Sequence, residues 1–311
     1  MRSMFNGLLF FPVTPFTSNG DVDHAELAAH IKRGVEAGAG GVFVACGTGE
    51  FSALDLDEFG PVVATAVATA VAAIGKSVPV FAGAGGPVRT ARRFADLAKD
   101  NGADGILLLP PYLTEASGAG LVDYVREATR EDLPTIVYNR ANARFNEETA
   151  VAVAKLPQII GFKDGVGDLD AMIRIVRAVR DVAGEDSGNQ EFFFFNGMPT
   201  AEVTQRAYRA IGVPLYSSAA FAFVPQVALA YYNALEAGDA TTLDTLERVF
   251  YHPLARLRAK GPGYAVSLVK AGVEIAGYST GGVRAPLAAV KPEHREELER
   301  IIKAGLGAVG A

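Results

Sequence analysis

Short apolar runs alternate along the chain with longer amphipathic stretches rich in alanine. The runs are Leu8–Val13, Gly41–Ala45, Val78–Ala82, Gly105–Leu109, Thr135–Tyr138, Ile159–Lys163, Phe192–Asn196 and Pro214–Ser217. Several are apolar at every position, the pattern of strands buried on both faces. Between them lie helix-period stretches at Ala25–Ala37, Glu58–Ile74, Thr90–Asn101, Leu121–Thr129, Glu147–Lys155, Asp168–Val182 and Thr200–Ile211. Local punctuation agrees: Asp21 precedes the first helix, Gly38 and Gly40 follow it, and Asn101-Gly102 closes the third. Repeated strand–helix units imply parallel strands joined by right-handed crossovers, and the eight units read here close into a barrel.

After the last run the pattern becomes all-helical, with stretches at Pro225–Ala237, Thr241–Arg258, Gly263–Ala276 and Pro292–Ala304. The expected fold is an α/β protein, a (β/α)8 TIM barrel over residues 1–224 with a helical extension over 225–311 packed on it. The length of 311 residues fits a barrel of about 250 plus such an extension. The competing fold is a doubly wound sheet, favoured by Gly83-Ala84-Gly85-Gly86 after the third run. That stretch lacks the full dinucleotide-binding spacing and the lysine of a phosphate-binding loop, and it reads as a tight turn.

Hydrophobic residues make up 50% of the chain and charged ones 21%, which excludes collagen-like, disulfide-rich and disordered classes. The net charge of −6 argues against a nucleic-acid partner or an anionic membrane surface. Cys46 is the only cysteine, so no intrachain disulfide forms, in keeping with a cytoplasmic location. The apolar run beginning at Leu8 is too short for a secretory signal and lacks a cleavage site. Pro61–Gly75 approaches the length of a membrane span, but it follows Asp55, Asp57 and Glu58 and reads as a buried helix.

A barrel of this kind carries its chemistry at the C-terminal ends of its strands. Those ends supply Cys46-Gly47-Thr48-Gly49-Glu50, Pro110-Pro111-Tyr112, Tyr138-Asn139-Arg140, Lys163-Asp164, Asn196-Gly197 and Ser217-Ser218. Lys163 follows an apolar run, so its ammonium would emerge from a dry interior, where desolvation favours the neutral amine a Schiff-base nucleophile requires. The alternative is an ion pair with Asp164. Tyr138, at a neighbouring strand end, is placed to shuttle a proton; alternatively it is a core tyrosine. Gly47-Thr48-Gly49 reads as an anion cradle, its glycines letting backbone N–H groups approach a carboxylate, or as an ordinary turn. Glu50 reads as a cap or a structural pair. The histidines, His24, His30, His252 and His294, have no metal-ligand spacing, and no metal site is expected. Cys46 reads as a small packed side chain and Phe192–Phe195 as packing.

Taken together, Gly47-Thr48-Gly49-Glu50, Tyr138-Asn139 and Gly161-Phe162-Lys163-Asp164 resemble the dihydrodipicolinate synthase / N-acetylneuraminate lyase superfamily over essentially the whole chain. Within it, Gly7–Pro15, Ala45–Ser52, Tyr138–Asn142 and Phe195-Asn196-Gly197 are similar to the branch that dehydrates and decarboxylates 5-dehydro-4-deoxyglucarate to 2,5-dioxopentanoate. The resemblance implies a lyase with Lys163 as the Schiff-base lysine, Tyr138 as the proton-transfer residue and Gly47-Thr48 holding the carboxylate of a 2-keto acid. It implies no metal or organic cofactor, a dicarboxylate keto sugar acid as the small-molecule partner, and a homotetramer. Asn196, Gly197, Ser218 and Tyr112 join the expected substrate-binding set.

The chain also departs from the wider pattern. Gly47 stands where many members carry a hydroxyl residue. Pro111-Tyr112-Leu113 stands where many carry paired tyrosines that serve a neighbouring subunit. Arg140-Ala141 replaces the Val-Pro of synthase-type members. A dianionic substrate needs a second carboxylate holder, and Arg140 with Asn142 is expected to provide it, a guanidinium gripping a carboxylate bidentately; alternatively Arg140 pairs with a loop acid. The rival functions are a 2-keto-3-deoxy sugar-acid aldolase, a pyruvate-dependent synthase, and a non-catalytic sugar-acid-binding barrel.

Overall fold

The computed structural model describes residues 4–74, 78–111, 115–186 and 191–311. Its strands are β1 (Leu9–Phe10), β2 (Gly41–Val44), β3 (Val80–Ala84), β4 (Gly105–Leu108), β5 (Thr135–Asn139), β6 (Ile159–Asp164), β7 (Phe193–Asn196) and β8 (Leu215–Ser218). Each pairs in parallel with the next, and β1 pairs with β8, so the sheet closes in sequence order. Helices α1 (His24–Glu36), α2 (Leu56–Ile74), α3 (Val88–Asp100), α4 (Gly118–Ala128), α5 (Glu147–Ala154), α6 (Leu169–Asp186) and α7 (Glu202–Ala210) alternate with the strands. The expected TIM barrel is what the chain forms.

The apolar runs owe their continuity to two separate destinations. Alternate strand residues point to opposite faces. Phe10, Val42, Val44, Val80 and Ala82 face the helix layer, whereas Leu9, Phe43, Phe81, Leu107, Ile136, Phe193 and Phe195 fill the barrel. Phe5, ahead of β1, closes the N-terminal floor of the barrel, its ring centroid 5.2 Å from that of Phe81 and 5.0 Å from that of Phe193.

Several boundaries move for identifiable reasons. Pro12 has no N–H to continue a ladder, and β1 is only two residues long. Pro79 accepts from Val42 N but has nothing to donate, and β3 starts one residue later, at Val80. The cap of α1 is Asp23, not Asp21: the Asp23 side chain accepts from Glu26 N at 3.0 Å. α2 buries Phe59, Val62, Val63, Ala66 and Ala70 along one stripe. Its length and apolarity would suffice for a membrane span, and this stripe accounts for much of the apolarity. The expected stretch ends at Gly75, outside the described residues.

The extension consists of α8 (Pro225–Ala237), α9 (Ala240–Leu246), α10 (His252–Arg258), α11 (Tyr264–Ile275) and α12 (Pro292–Val309). The single helix expected over Thr241–Arg258 is interrupted by a wide π turn at Glu247–Tyr251. Pro253 removes one helical donor, and the wider turn precedes it. Phe10 and Tyr216 of the barrel belong to the same continuous hydrophobic cluster as Tyr231, Phe250 and Leu298 of the extension. A buried ion pair adds a second tie. Lys270 Nζ on α11 lies 2.6 Å from Glu50 Oε1, and Arg284 N donates to Glu50 Oε2 at 2.9 Å. Glu50 thus pins the loop after β2 to the C-terminal segment, which fits its reading as a structural pair.

Candidate active site

Register decides which strand-end side chains meet. Lys163 on β6 is the lateral neighbour of Tyr138 on β5 and of Phe195 on β7. All three share the inward parity, one layer above the aromatic floor. Asp164, the next residue, therefore points the other way, so the expected alternative of a Lys163–Asp164 pair does not occur. Its carboxylate accepts from Asn139 Nδ2 at 2.8 Å, from the Tyr208 hydroxyl, and from the backbone N–H groups of Val166 and Gly167.

Lys163 is 5% exposed, and its Nζ lies 4.0 Å from the centroid of the Phe11 ring and 4.8 Å from that of Tyr138. Among the described residues no carboxylate pairs with it. Burial, helped by the nearby Arg140 cation, lowers its pKa to about 7, so a large fraction is neutral amine at neutral pH. Cys46 offers no countercharge, because burial raises its own pKa to about 12 and keeps it a thiol.

The Tyr138 hydroxyl donates to Gly197 O at 2.8 Å and accepts from Arg140 Nη1 at 2.8 Å. Burial pushes the phenol pKa up, and the Arg140 charge and hydrogen bond pull against that rise. Gly197 is required by the close approach of both side chains. A Cβ there would lie 2.6 Å from Lys163 Cε and 2.8 Å from Tyr138 Cε2.

These groups open into a cavity of about 410 Å³. Gly47 and Thr48 form part of its wall, and a Cβ on Gly47 would meet nothing within 4 Å, so the loop leaves room beside Lys163. Among the described residues, the N–H groups of Gly47 and Thr48 donate to no carbonyl, and these donors are free for a carboxylate. Arg140 and Gly197 also line the cavity.

Other expected binding residues lie elsewhere. Gly49 does not line the cavity; its carbonyl accepts from Thr14 Oγ1 at 2.7 Å and shapes the turn. Asn196 and Ser218 carry the outward parity of Asp164. Asn196 is fully buried and donates to Ala201 O and Gln205 Oε1, and Ser218 donates to Glu202 Oε1 at 2.5 Å. Asn142 donates to Pro111 O at 3.1 Å and is not on the cavity wall. Tyr112 lies outside the described residues. Among the described residues, no group of three His, Cys, Asp or Glu side chains is gathered to hold a metal.

The cavity also holds residues outside the expected binding set. Phe11 and Ser217 share the inward parity of Lys163, and that parity, counted from Lys163, is the signal that finds Ser217 in place of Ser218. Thr200, Arg258 and the α11 residues Tyr264, Leu268 and Val269 form the far wall. Nothing local in the sequence marks them, because the extension reaches back over the barrel mouth only in three dimensions. The Arg258 guanidinium donates to Thr200 Oγ1, and Thr200 sits at a left-handed φ of 53°. Ala45, Glu50 and Ala141 are the other described non-glycine residues with positive φ, and all belong to loops at this same end of the barrel. Such strained positions concentrate where function fixes the backbone.

Comparison with known proteins agrees with this architecture. The sequence pattern of the Dihydrodipicolinate synthetase family matches residues 4–305. A probable 5-dehydro-4-deoxyglucarate dehydratase 1 of Streptomyces coelicolor is 50% identical over 302 residues, covering 96% of this chain and 93% of its own. A probable 5-dehydro-4-deoxyglucarate dehydratase of Streptomyces griseus is 51% identical over 300 residues, covering 96% of this chain and 91% of its own. Among solved structures, dihydrodipicolinate synthase from Oceanobacillus iheyensis superposes with a TM-score of 0.85 at 26% identity, covering 96% of each chain. With a barrel that closes in sequence order, a buried lysine beside a tyrosine at its mouth, and these matches over nearly its full length, the chain belongs to the dihydrodipicolinate synthetase family.

Proposed function

We propose that this protein is a Schiff-base-forming, decarboxylating dehydratase that converts 5-dehydro-4-deoxyglucarate to 2,5-dioxopentanoate, water and carbon dioxide. The observation that carries the reading is Lys163, a buried amine with no carboxylate partner among the described residues, its pKa lowered to about 7. The names of the 50% and 51% identical relatives support the substrate.

The substrate ketone carbon enters beside Lys163, with the adjacent carboxylate on the Gly47 and Thr48 N–H groups. The neutral amine adds to the ketone, and loss of water gives an iminium. The iminium acidifies the neighbouring methylene, and Tyr138 accepts or relays its proton, the hydroxyl being held for this by Gly197 O and Arg140. The resulting enamine expels the β-hydroxyl as water and leaves a conjugated iminium. That conjugated system takes up the electron pair of the distal carbon–carboxylate bond, releasing carbon dioxide and forming a dienamine. Protonation and hydrolysis free the aldehyde product and return Lys163. One electron sink serves both bond-breaking steps. Arg140 stays at the reacting end, bonded to the Tyr138 hydroxyl.

Mass spectrometry of the products tests the reading. The expected outcome is loss of one water and one carbon dioxide from 5-dehydro-4-deoxyglucarate, with turnover falling at least about 1,000-fold in Lys163→Ala and reductive trapping of substrate on the chain abolished. Pyruvate with a three-carbon semialdehyde would instead identify an aldolase on the same Schiff-base machinery. Turnover without any adduct at Lys163 would overturn the mechanism.

A further inference from the structure

We propose that Arg258, positioned by Thr200, grips the distal carboxylate of the substrate and makes α10 of the helical extension the element that selects dicarboxylates over monocarboxylates. The inference deepens the proposed function and rests on it for the identity of the natural substrate.

Arg258 lines the cavity and is half-buried. Several other partly buried arginines find carboxylates: Arg130 pairs with Asp96, Arg209 with Glu236 and Arg284 with Glu58, while Arg33 stacks on the Tyr278 ring instead. Among the described residues, Arg258 and Arg140 have none; their side-chain partners are a hydroxyl each, Thr200 and Tyr138. The acid nearest in effect to Arg258 is Glu202, fully buried and bonded to Ser218, with its pKa raised to about 7 by desolvation. It is therefore a poor countercharge. Burial disfavours the Arg258 charge, and Arg140 adds to that cost as a like charge. Two guanidiniums facing one cavity without an anion are unfavourable in the empty protein, and a bound dianion removes the imbalance.

The hold on Arg258 is specific as well. Thr200 is buried, and its backbone adopts the left-handed region that β-branched residues rarely occupy. That conformation presents the hydroxyl to the guanidinium. One donor goes to Thr200, and the rest of the fork remains for a carboxylate. Arg140 is meanwhile engaged at the Tyr138 hydroxyl, next to the amine. The division of labour follows: Arg140 sits at the reacting end, and Arg258 addresses the remote end of a ligand extending from Lys163 towards the extension.

The test is borohydride trapping of keto acids on Lys163, which needs no turnover. Two six-carbon probes are compared, 2-oxoadipate with a distal carboxylate and 2-oxohexanoate without one. In the wild type, 2-oxoadipate half-saturates trapping at the lower concentration. In Arg258→Met its half-saturating concentration rises about 10- to 100-fold, the loss expected for one charge-assisted interaction, while the value for 2-oxohexanoate moves less than about threefold. Arg258→Lys recovers part of the difference, and Thr200→Val raises the 2-oxoadipate value by a smaller factor. An unchanged 2-oxoadipate value in Arg258→Met, or equal weakening of both probes, overturns the proposal. Failure of the wild type to turn over 5-dehydro-4-deoxyglucarate would overturn the proposed substrate and leave this selectivity to be judged by trapping alone.

Discussion

Lys163 and Lys270 are both buried, 5% and 1% exposed, and each holds its Nζ 4.0 Å from the centroid of a phenylalanine ring, Phe11 for one and Phe16 for the other. They differ in their counterions. Lys270 meets Glu50 at 2.6 Å and donates to Gly282 O, so its charge is matched and it ties the extension to the loop after β2. Burial lowers its pKa, but Glu50 pulls it back up. Lys163 has, among the described residues, no carboxylate partner; a protonated thiol, two aromatic rings and the Arg140 charge lie near it, and its pKa falls to about 7. Burial alone does not make a lysine reactive; burial without an anion does. The same side chain is a structural tie in one place and, on the proposed chemistry, the nucleophile in the other.

The comparison is broken most severely by removing the Lys270 charge. Lys270→Met leaves Glu50 buried with a backbone N–H as its remaining described partner and no countercharge from Lys270, which is expected to cost about 3–5 kcal/mol of unfolding free energy in urea titrations. The double variant Glu50→Leu with Lys270→Met should recover most of that loss. If the single variant is as stable as the wild type, the pair is not a tie.

A second change makes Lys163 resemble Lys270. The rising limb of kcat/KM against pH should report the Lys163 pKa near 7, because only the neutral amine adds to the ketone. Cys46→Asp places a carboxylate in the pocket and should move that limb upward by at least about one pH unit. A limb that stays in place would show that Cys46 does not govern the charge environment of Lys163.

The smallest expected effect is a gain. Lys163→Met removes an unmatched amine from an apolar site and should stabilise the fold by about 1–3 kcal/mol below pH 7. The sign follows from linkage. Folded Lys163 loses its proton near pH 7, whereas the unfolded chain keeps it to the ordinary value of 10.5. The wild type therefore bears the full penalty below pH 7, and the penalty shrinks as pH rises towards 10.5. Urea midpoints at pH 6 and pH 9 should differ between the two proteins more at the lower pH.

Much of this molecule can be read from its sequence, with a boundary that has a physical origin. Eight apolar runs alternating with helix-period stretches already imply the barrel, and Lys163 and Tyr138 stand at strand ends. The errors at Asn196 and Ser218 arise because a strand end supplies both an inward and an outward residue. Counting by twos from Lys163 separates Ser217 from Ser218, but that count requires the register of neighbouring strands. Arg258 and Thr200 are harder to find. The two are 58 positions apart, and they meet because the π turn and α10 bring the extension back across the mouth. The corrected cap at Asp23 and the shortened β1 reflect local hydrogen-bond supply at single residues, which hydrophobic period does not register.

The ring-packed floor around Phe5 gives the reaction a direction of traffic. A barrel stopped with aromatic rings at one end is a blind alley, so a substrate goes in with its reacting end leading and its distal carboxylate trailing. On the proposed chemistry, the carbon dioxide is cut from the trailing end. It forms nearest the way out, while the five-carbon remainder is still tethered to Lys163 deeper inside. The gas can depart first without passing the chain it came from, and the larger product follows once hydrolysis unties it. A closed floor and an open mouth therefore favour an order of departure without a gate to enforce it.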